Sequence, residues 1–285
     1  MNYLKLSERV LALGQKAEEA AAPYFRRIEE ISSGNTQKVL AAFQKHRVSD
    51  TFFGGTTGYG YDDQGREALD AIYADVFGGE AALVRVQFVN GTHALSCGIF
   101  ACVRPGDVVL SATGAPYDTL LNTLTGDAWG NLSQYGVGYR LVEMAGGLPD
   151  YDGISAAAGD PAVRLVLIQR SRGYAVRKTL SCGEIARICE TVRAVNPAAV
   201  IMVDNCYGEF CEKIEPLQAG ADLIAGSLIK NPGGGLAPMG GYIAGRKDLV
   251  DNAAMRLTAP GIGGECGATL GVNRLLYQGF FCAPH

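Results

Sequence analysis

Two short runs of unbroken apolar residues constrain the fold of this 285-residue chain more than any other feature. The runs are LVLI at 165–168 and VIMV at 200–203, and a strand built from either run would be apolar on both faces. Strands of this kind are covered by helices on both sides, as in a parallel sheet. The two runs therefore predict a parallel sheet that lies between layers of helices.

The pattern of these two runs continues along most of the chain. Apolar, β-rich segments are predicted near 82–87, 107–111, 138–143, 164–169, 199–204, 222–228 and 241–244. Helical segments are predicted at 64–77, 93–103, 117–125 and 181–195. Alternation of strands and helices favours an α/β fold with crossover connections, here a mainly parallel seven-stranded sheet flanked by helices.

The two ends of the chain have a different character. Residues 1–50 are predicted to form an N-terminal helical arm of two helices, the first capped by Ser7 and the second by Asn35. Residues 51–63 are rich in Gly, Thr and Tyr and predict a loop, and a last helix is predicted over 266–281. Residues 51–285 are expected to form one large domain.

Composition excludes several classes of function. Lys and Arg number 25 against 29 Asp and Glu, a net charge of −4, and no basic stripe suggests a nucleic-acid partner. No apolar run is long enough to span a membrane. The eight Cys have no zinc-site spacing and the three His form no cluster, so we expect reduced thiols, no metal and a cytoplasmic location.

Polar residues that follow the predicted strands are the candidates for a site, because ligands of open α/β sheets bind at the carboxyl ends of strands. Asp204 ends the second apolar run, and Lys230 lies 26 residues later, after the next strand. Singly, Asp204 could cap a helix and Lys230 could extend its ammonium into solvent. Together they suit pyridoxal 5′-phosphate, which takes a lysine as Schiff base and an acid at its pyridinium nitrogen.

Other residues after strands suit the rest of that cofactor. Gly91 and Thr92 precede a helix whose N-terminus could bind a phosphate, and Ser227 adds a hydroxyl group. A planar ring needs a flat partner, which Tyr117 or His93 could supply. The chain lacks a GxxxxGK[ST] phosphate loop, a GxGxxG strand–helix turn and a GxSxG elbow.

On the basis of these residues and the sequence around them, the chain resembles the pyridoxal-phosphate enzymes of the methionine γ-lyase/cystathionine β-lyase group. It is most similar to the branch of cystathionine β-lyase-like aluminium-resistance proteins. The matching stretches are TGYGYDDQGR (57–66), VNGTHA (89–94), GAPYDTL (114–120), QRSRGY (169–174), VDNCYGEF (203–210) and SLIKNPGGG (227–235). They are distributed over most of the chain from about residue 50 onward.

The resemblance implies a type I aminotransferase-like fold and a set of site residues. Lys230 is implied as the Schiff-base lysine, Asp204 as the pyridinium partner and Tyr117 as the ring-stacking aromatic. The remaining implied cofactor contacts are Gly91, Thr92 and Ser227 at the phosphate, His93 beside them, Arg172 near the 3′-oxygen, and Tyr59 and Tyr61 at the phosphate of a neighbouring subunit.

The resemblance also implies an activity. The expected reaction is carbon–sulfur lysis of a methionine- or cystathionine-type amino acid by β- or γ-elimination, in a homodimer or homotetramer with shared active sites. Such enzymes carry a smaller C-terminal domain with the arginine that binds the substrate carboxylate, and we expect this domain to be absent here. The alternatives are another fold type I enzyme, an aminotransferase or desulfurase, or an incomplete chain that only binds cofactor.

Overall fold

The computed structural model describes residues 4–285, and its centre is one seven-stranded sheet. The strands are β1 (Ala81–Arg85), β2 (Val108–Ser111), β3 (Gly138–Leu141), β4 (Val163–Gln169), β5 (Val200–Asp204), β6 (Leu223–Ser227) and β7 (Gly241–Gly245). Their order in the sheet is β1-β7-β6-β5-β4-β2-β3, and only β7 runs antiparallel to its neighbours. The predicted mainly parallel seven-stranded sheet is confirmed.

Helices cover both faces of the sheet. They are α1 (Glu8–Lys45), α2 (Gln64–Phe77), α3 (Gly91–Cys102), α4 (Asp118–Leu124), α5 (Tyr151–Ala158), α6 (Cys182–Val195), α7 (Lys247–Leu257) and α8 (Asn273–Cys282). One apolar core joins the sheet to α1, α2, α5, α6 and α8, and a second joins the opposite face to α3, α4 and α7. The unbroken apolar runs are therefore strands buried on both faces, as the sequence predicts.

The prediction of two N-terminal helices is wrong, because α1 is one continuous helix. Ser7 does cap it, and its Oγ accepts from the Val10 backbone N–H at 3.4 Å. Asn35, predicted as a second cap, is buried inside α1. Its side-chain amide donates to the carbonyl oxygens of Phe210 and Glu212 at 3.0 Å each. These long-range bonds satisfy the amide within a helix, where local patterns predict a cap.

The last helix begins later than predicted, at Asn273 rather than residue 266. The preceding segment bonds to the loop that follows α1: Gly267 N donates to Tyr59 O at 2.9 Å, and Leu270 N donates to Thr56 O at 3.0 Å. Gly267 adopts a φ of +134°, a conformation that interrupts a helix. Within residues 4–285, no helix combines the length and apolar character needed to cross a bilayer.

Candidate active site

A cavity of about 560 Å³ opens at the carboxyl ends of the parallel strands. Its lining comes from segments far apart in the chain: Gly91 and Thr92 at the start of α3, Tyr117 before α4, Ser171 after β4, Asp204 at the end of β5, and Ser227 and Lys230 at and after the end of β6. These segments meet because parallel strands bring their carboxyl ends to one edge of the sheet. Most of the predicted site residues therefore share one cavity.

Asp204 and Lys230 line this cavity together. The Asp204 side chain is 2% exposed, and its Oδ1 accepts from the Cys206 backbone N–H at 3.1 Å. Burial raises the pKa of Asp204, while the hydrogen bonds from Cys206 and the nearby Lys230 ammonium oppose that rise. Burial alone lowers the pKa of Lys230, but neighbouring acidic groups, Cys206 first among them, outweigh it and raise the pKa. The pair is thus an acid and an amine in electrostatic contact.

The start of α3 and the end of β6 form a polar recess in the cavity wall. Gly91 is the first residue of α3, and the first N–H groups of a helix have no partner within the helix. Ser227 Oγ is buried and has no hydrogen-bond partner in the described part of the chain. A Cβ added at Gly91 would lie 2.9 Å from Ser227 Cβ and would fill the recess. Free N–H groups beside an unpartnered hydroxyl suit an anion such as phosphate.

Tyr117, directly before α4, also lines the cavity. Its hydroxyl group and Thr92 Oγ1 are 3.0 Å apart, and its backbone N–H donates to Gln169 Oε1 at 3.0 Å. Burial raises the pKa of Tyr117, and the Asp204 carboxylate adds to the rise. The ring is therefore a neutral, fixed surface within the cavity.

Four predicted site residues do not line the cavity. His93 is not among the lining residues: its Nδ1 accepts from the Val89 backbone N–H at 3.2 Å, and its ring forms a T-shaped pair with Phe88. Arg172 is exposed outside the lining, although Ser171 and Gly173 on either side line the cavity.

Tyr59 and Tyr61 are the other two. They stack on each other with ring centroids 5.6 Å apart, and both are exposed on the loop before α2. Their expected contact with a second subunit stays a prediction.

Cys206 and Tyr207 are among the lining residues that were not predicted. Both follow Asp204 in the turn after β5, and the Cys206 thiol is the neighbour that contributes most to the raised pKa of Lys230. The Lys230 Nζ lies 4.2 Å from the centroid of the Tyr207 ring. The signal that could have found them is their position at the end of the same apolar run that gives Asp204.

Comparison with known proteins gives one consistent result. The family model described as methionine gamma-lyase matches residues 10–285. The uncharacterized protein YnbB of Bacillus subtilis (strain 168) is 49% identical over 274 residues, which are 95% of this chain and 65% of that protein. The L-methionine gamma-lyase of Pseudomonas putida is 29% identical over 208 residues, 71% of this chain and 45% of the enzyme.

Solved structures extend this result to the fold. The carbon-sulfur lyase involved in aluminum resistance from Clostridium novyi NT superposes with a TM-score of 0.94 at 46% identity, over 98% of this chain and 68% of that chain. The pyridoxal-5′-phosphate-dependent protein YhfS from Escherichia coli has a TM-score of 0.67 at 17% identity, over 90% of this chain and 64% of that chain. The chain spans less than two thirds of the length of YnbB.

Proposed function

The chain belongs to the methionine gamma-lyase family, and we propose that it is a pyridoxal-phosphate-dependent carbon–sulfur lyase. The resemblance to this family and its aluminium-resistance branch is confirmed, as is the type I aminotransferase-like fold. The proposed substrate is a sulfur-containing amino acid that undergoes β- or γ-elimination. The names of the P. putida and C. novyi relatives support this class of reaction.

The residues of the cavity fit pyridoxal phosphate. The recess at Gly91, Thr92 and Ser227 would hold the phosphate, and the unpartnered Ser227 Oγ gains an acceptor there. Tyr117 would pack against the face of the ring. Lys230 would hold the cofactor covalently through Nζ. When bound, pyridoxal phosphate supplies an electron sink for a substrate carbanion.

The roles of the acid and the amine follow from their surroundings. Asp204, as a carboxylate, would hold a proton at the ring nitrogen, and its backbone hydrogen bond from Cys206 fixes its orientation. Lys230 Nζ, when it is free and unprotonated, would take the proton from the substrate α-carbon. Both roles need the two side chains in one cavity, and this shared position is the observation that carries the proposal.

The test of cofactor binding uses the full chain and its visible absorbance after pyridoxal phosphate is added. We expect an absorbance band that borohydride removes, and a reduced adduct on the peptide that contains Lys230. Lys230→Ala should lose both signals. Lys16→Ala, which makes the same change on an exposed part of α1, should keep them. An adduct on another lysine, or a normal band in Lys230→Ala, would refute the proposal.

The test of reaction type measures nitrogen and sulfur products separately. Methionine, cystathionine and cysteine are supplied one at a time, with and without an oxo-acid amino acceptor. A lyase releases ammonia, an oxo acid and a sulfur product without the acceptor. Turnover that requires the acceptor and moves nitrogen to it would identify an aminotransferase instead.

We also propose a homo-oligomer, in which Tyr59 and Tyr61 contact the site of a second copy.

A further inference from the structure

The turn after β5 places a tyrosine in a backbone conformation that favours glycine. The turn is closed by a hydrogen bond from Gly208 N to Asn205 O at 2.8 Å, and Tyr207, its third residue, has a φ of +67°. Gly or Asn usually occupies a left-handed third position, because a bulky side chain there is strained. A strained residue in a cavity wall calls for a functional explanation.

Core packing explains the other left-handed residue of this segment but not Tyr207. Phe210 has a φ of +63°, and its buried ring packs against Phe77 and Phe280. The Tyr207 side chain is 58% exposed and gains no comparable burial. Its ring instead lies beneath the Lys230 ammonium, with 4.2 Å between Nζ and the ring centroid. The strain of Tyr207 therefore coincides with a cation–π contact to the proposed catalytic amine.

Buried contacts of the turn after β5 keep the Tyr207 backbone in its left-handed conformation. Arg170 is buried beneath it, and its guanidinium donates to Asn205 Oδ1 and to Glu212 Oε1, each at 2.8 Å. A Cβ added at Gly208 would come within 2.6 Å of the Arg170 guanidinium. The backbone on both sides of Tyr207 is thus fixed by buried contacts. The ring is held rigidly at the cavity wall.

We propose that Tyr207 is a positioning residue that holds the protonated amine of Lys230 at the cavity wall whenever that amine is not bonded to the cofactor. The face of an aromatic ring attracts an ammonium group but not a neutral amine. The other titratable groups that face Lys230 are Asp204 and Cys206, both from the same segment. Any effect of this contact on catalysis rests on the proposed function, whereas the contact between Tyr207 and Lys230 does not.

The test measures the protonation of Lys230 in the full chain before cofactor is added. The chain is acetylated with limiting acetic anhydride across a range of pH, and mass spectrometry follows the peptide that contains Lys230. Tyr207→Leu should lower the apparent pKa of Lys230 by about half a unit, because the ammonium loses its ring. Tyr207→Phe keeps the ring and should leave the pKa unchanged. Equal results for the Leu and Phe variants, shifted or not, would overturn the proposal.

A second readout separates this proposal from the proposed function. Below the pKa of Lys230, Tyr207→Leu should capture pyridoxal phosphate about threefold faster than the parent chain, because more of the amine is neutral. Tyr207→Gly removes both the ring and the strain, so it gives the same test should the Leu variant fold poorly. A parent chain that captures no cofactor would refute the proposed function, while the acetylation result would still decide the role of Tyr207.

Discussion

Replacing Ser227 by Ala should make the cofactor-free protein more stable and its binding of cofactor weaker. Ser227 is 1% exposed, and its Oγ has no partner among residues 4–285. A buried polar group without a hydrogen bond costs about 1–3 kcal/mol. Removing the hydroxyl should therefore raise the free energy of unfolding by about 1 kcal/mol. Loss of its hydrogen bond to a phosphate, about 1.5–3 kcal/mol, should weaken cofactor binding roughly 10- to 100-fold.

Two measurements and one control test this prediction. Urea unfolding without cofactor gives the change in stability, and titration with pyridoxal phosphate gives the change in Kd. Ser111→Ala is the matched control, because Ser111 is also a buried serine at a strand end, but its Oγ donates to Gly114 O at 2.6 Å. The control should lose about 1 kcal/mol of stability and keep its affinity for the cofactor.

The reasoning fails if the two serine variants behave alike. A Ser227→Ala protein that loses stability and keeps its cofactor affinity would mean that the hydroxyl is bonded within the protein. The recess would then have no unpartnered hydroxyl group for a phosphate. A loss of affinity without any loss of stability is the result that only a ligand contact explains.

Three further substitutions test the surroundings of the site. Arg170→Met should lower the free energy of unfolding, measured in urea, by about 3–5 kcal/mol. The reason is that Glu215, which is fully buried 3.5 Å from the guanidinium, loses its charge partner. The double variant Arg170→Met/Glu215→Leu should recover part of the lost free energy of unfolding. Glu209→Gln should flatten the pH dependence of stability. Burial raises the pKa of Glu209 from 4.5 to about 8. The free energy of unfolding of the parent chain should therefore fall by up to about 1.4 kcal/mol per pH unit as the pH rises from 4.5 to about 8. The variant has no ionisable group at position 209 and should lack this contribution. A parent and a Glu209→Gln protein with parallel profiles would contradict this. Tyr207→Gly should have a higher midpoint of thermal unfolding than Tyr207→Ala, because both variants lose the ring contact with Lys230 and only glycine releases about 1 kcal/mol of backbone strain. Equal midpoints for the two variants would show that the strain is absent.

The strands could be predicted because their signal is local. The apolar runs at 165–168 and 200–203 lie within β4 and β5, and burial on both faces requires no knowledge of distant residues. The two errors in the helices have long-range causes. Asn35 is tolerated inside α1 because its side-chain amide donates hydrogen bonds to two backbone carbonyl oxygens about 175 residues away. Residues 266–272 are held out of α8 by the loop at 56–60.

The same distinction separates the site residues that could be predicted from those that could not. Asp204, Ser227 and Lys230 follow from strand ends, which the sequence locates. His93 does not line the cavity, because α3 already begins at Gly91 and the third residue of a helix is turned by about 200° from the first. Tyr207 depends on a left-handed turn that Arg170 supports from below, and no local pattern predicts that support.

Three departures from ordinary folding preferences occur within this one cavity. Asp204 is a buried acid, Ser227 is a buried hydroxyl without a partner, and Tyr207 is a bulky residue in a left-handed turn. Each could be relieved by a single substitution that leaves the core unchanged, and the substitution at Ser227 is expected to stabilise the cofactor-free chain. Natural sequences keep such departures where function requires them. Under the proposed function, Asp204 and Ser227 would face two parts of one ligand, its ring nitrogen and its phosphate, and Tyr207 contacts the amine that would hold that ligand. Their shared location therefore argues for a pyridoxal-phosphate site independently of the family to which the chain belongs.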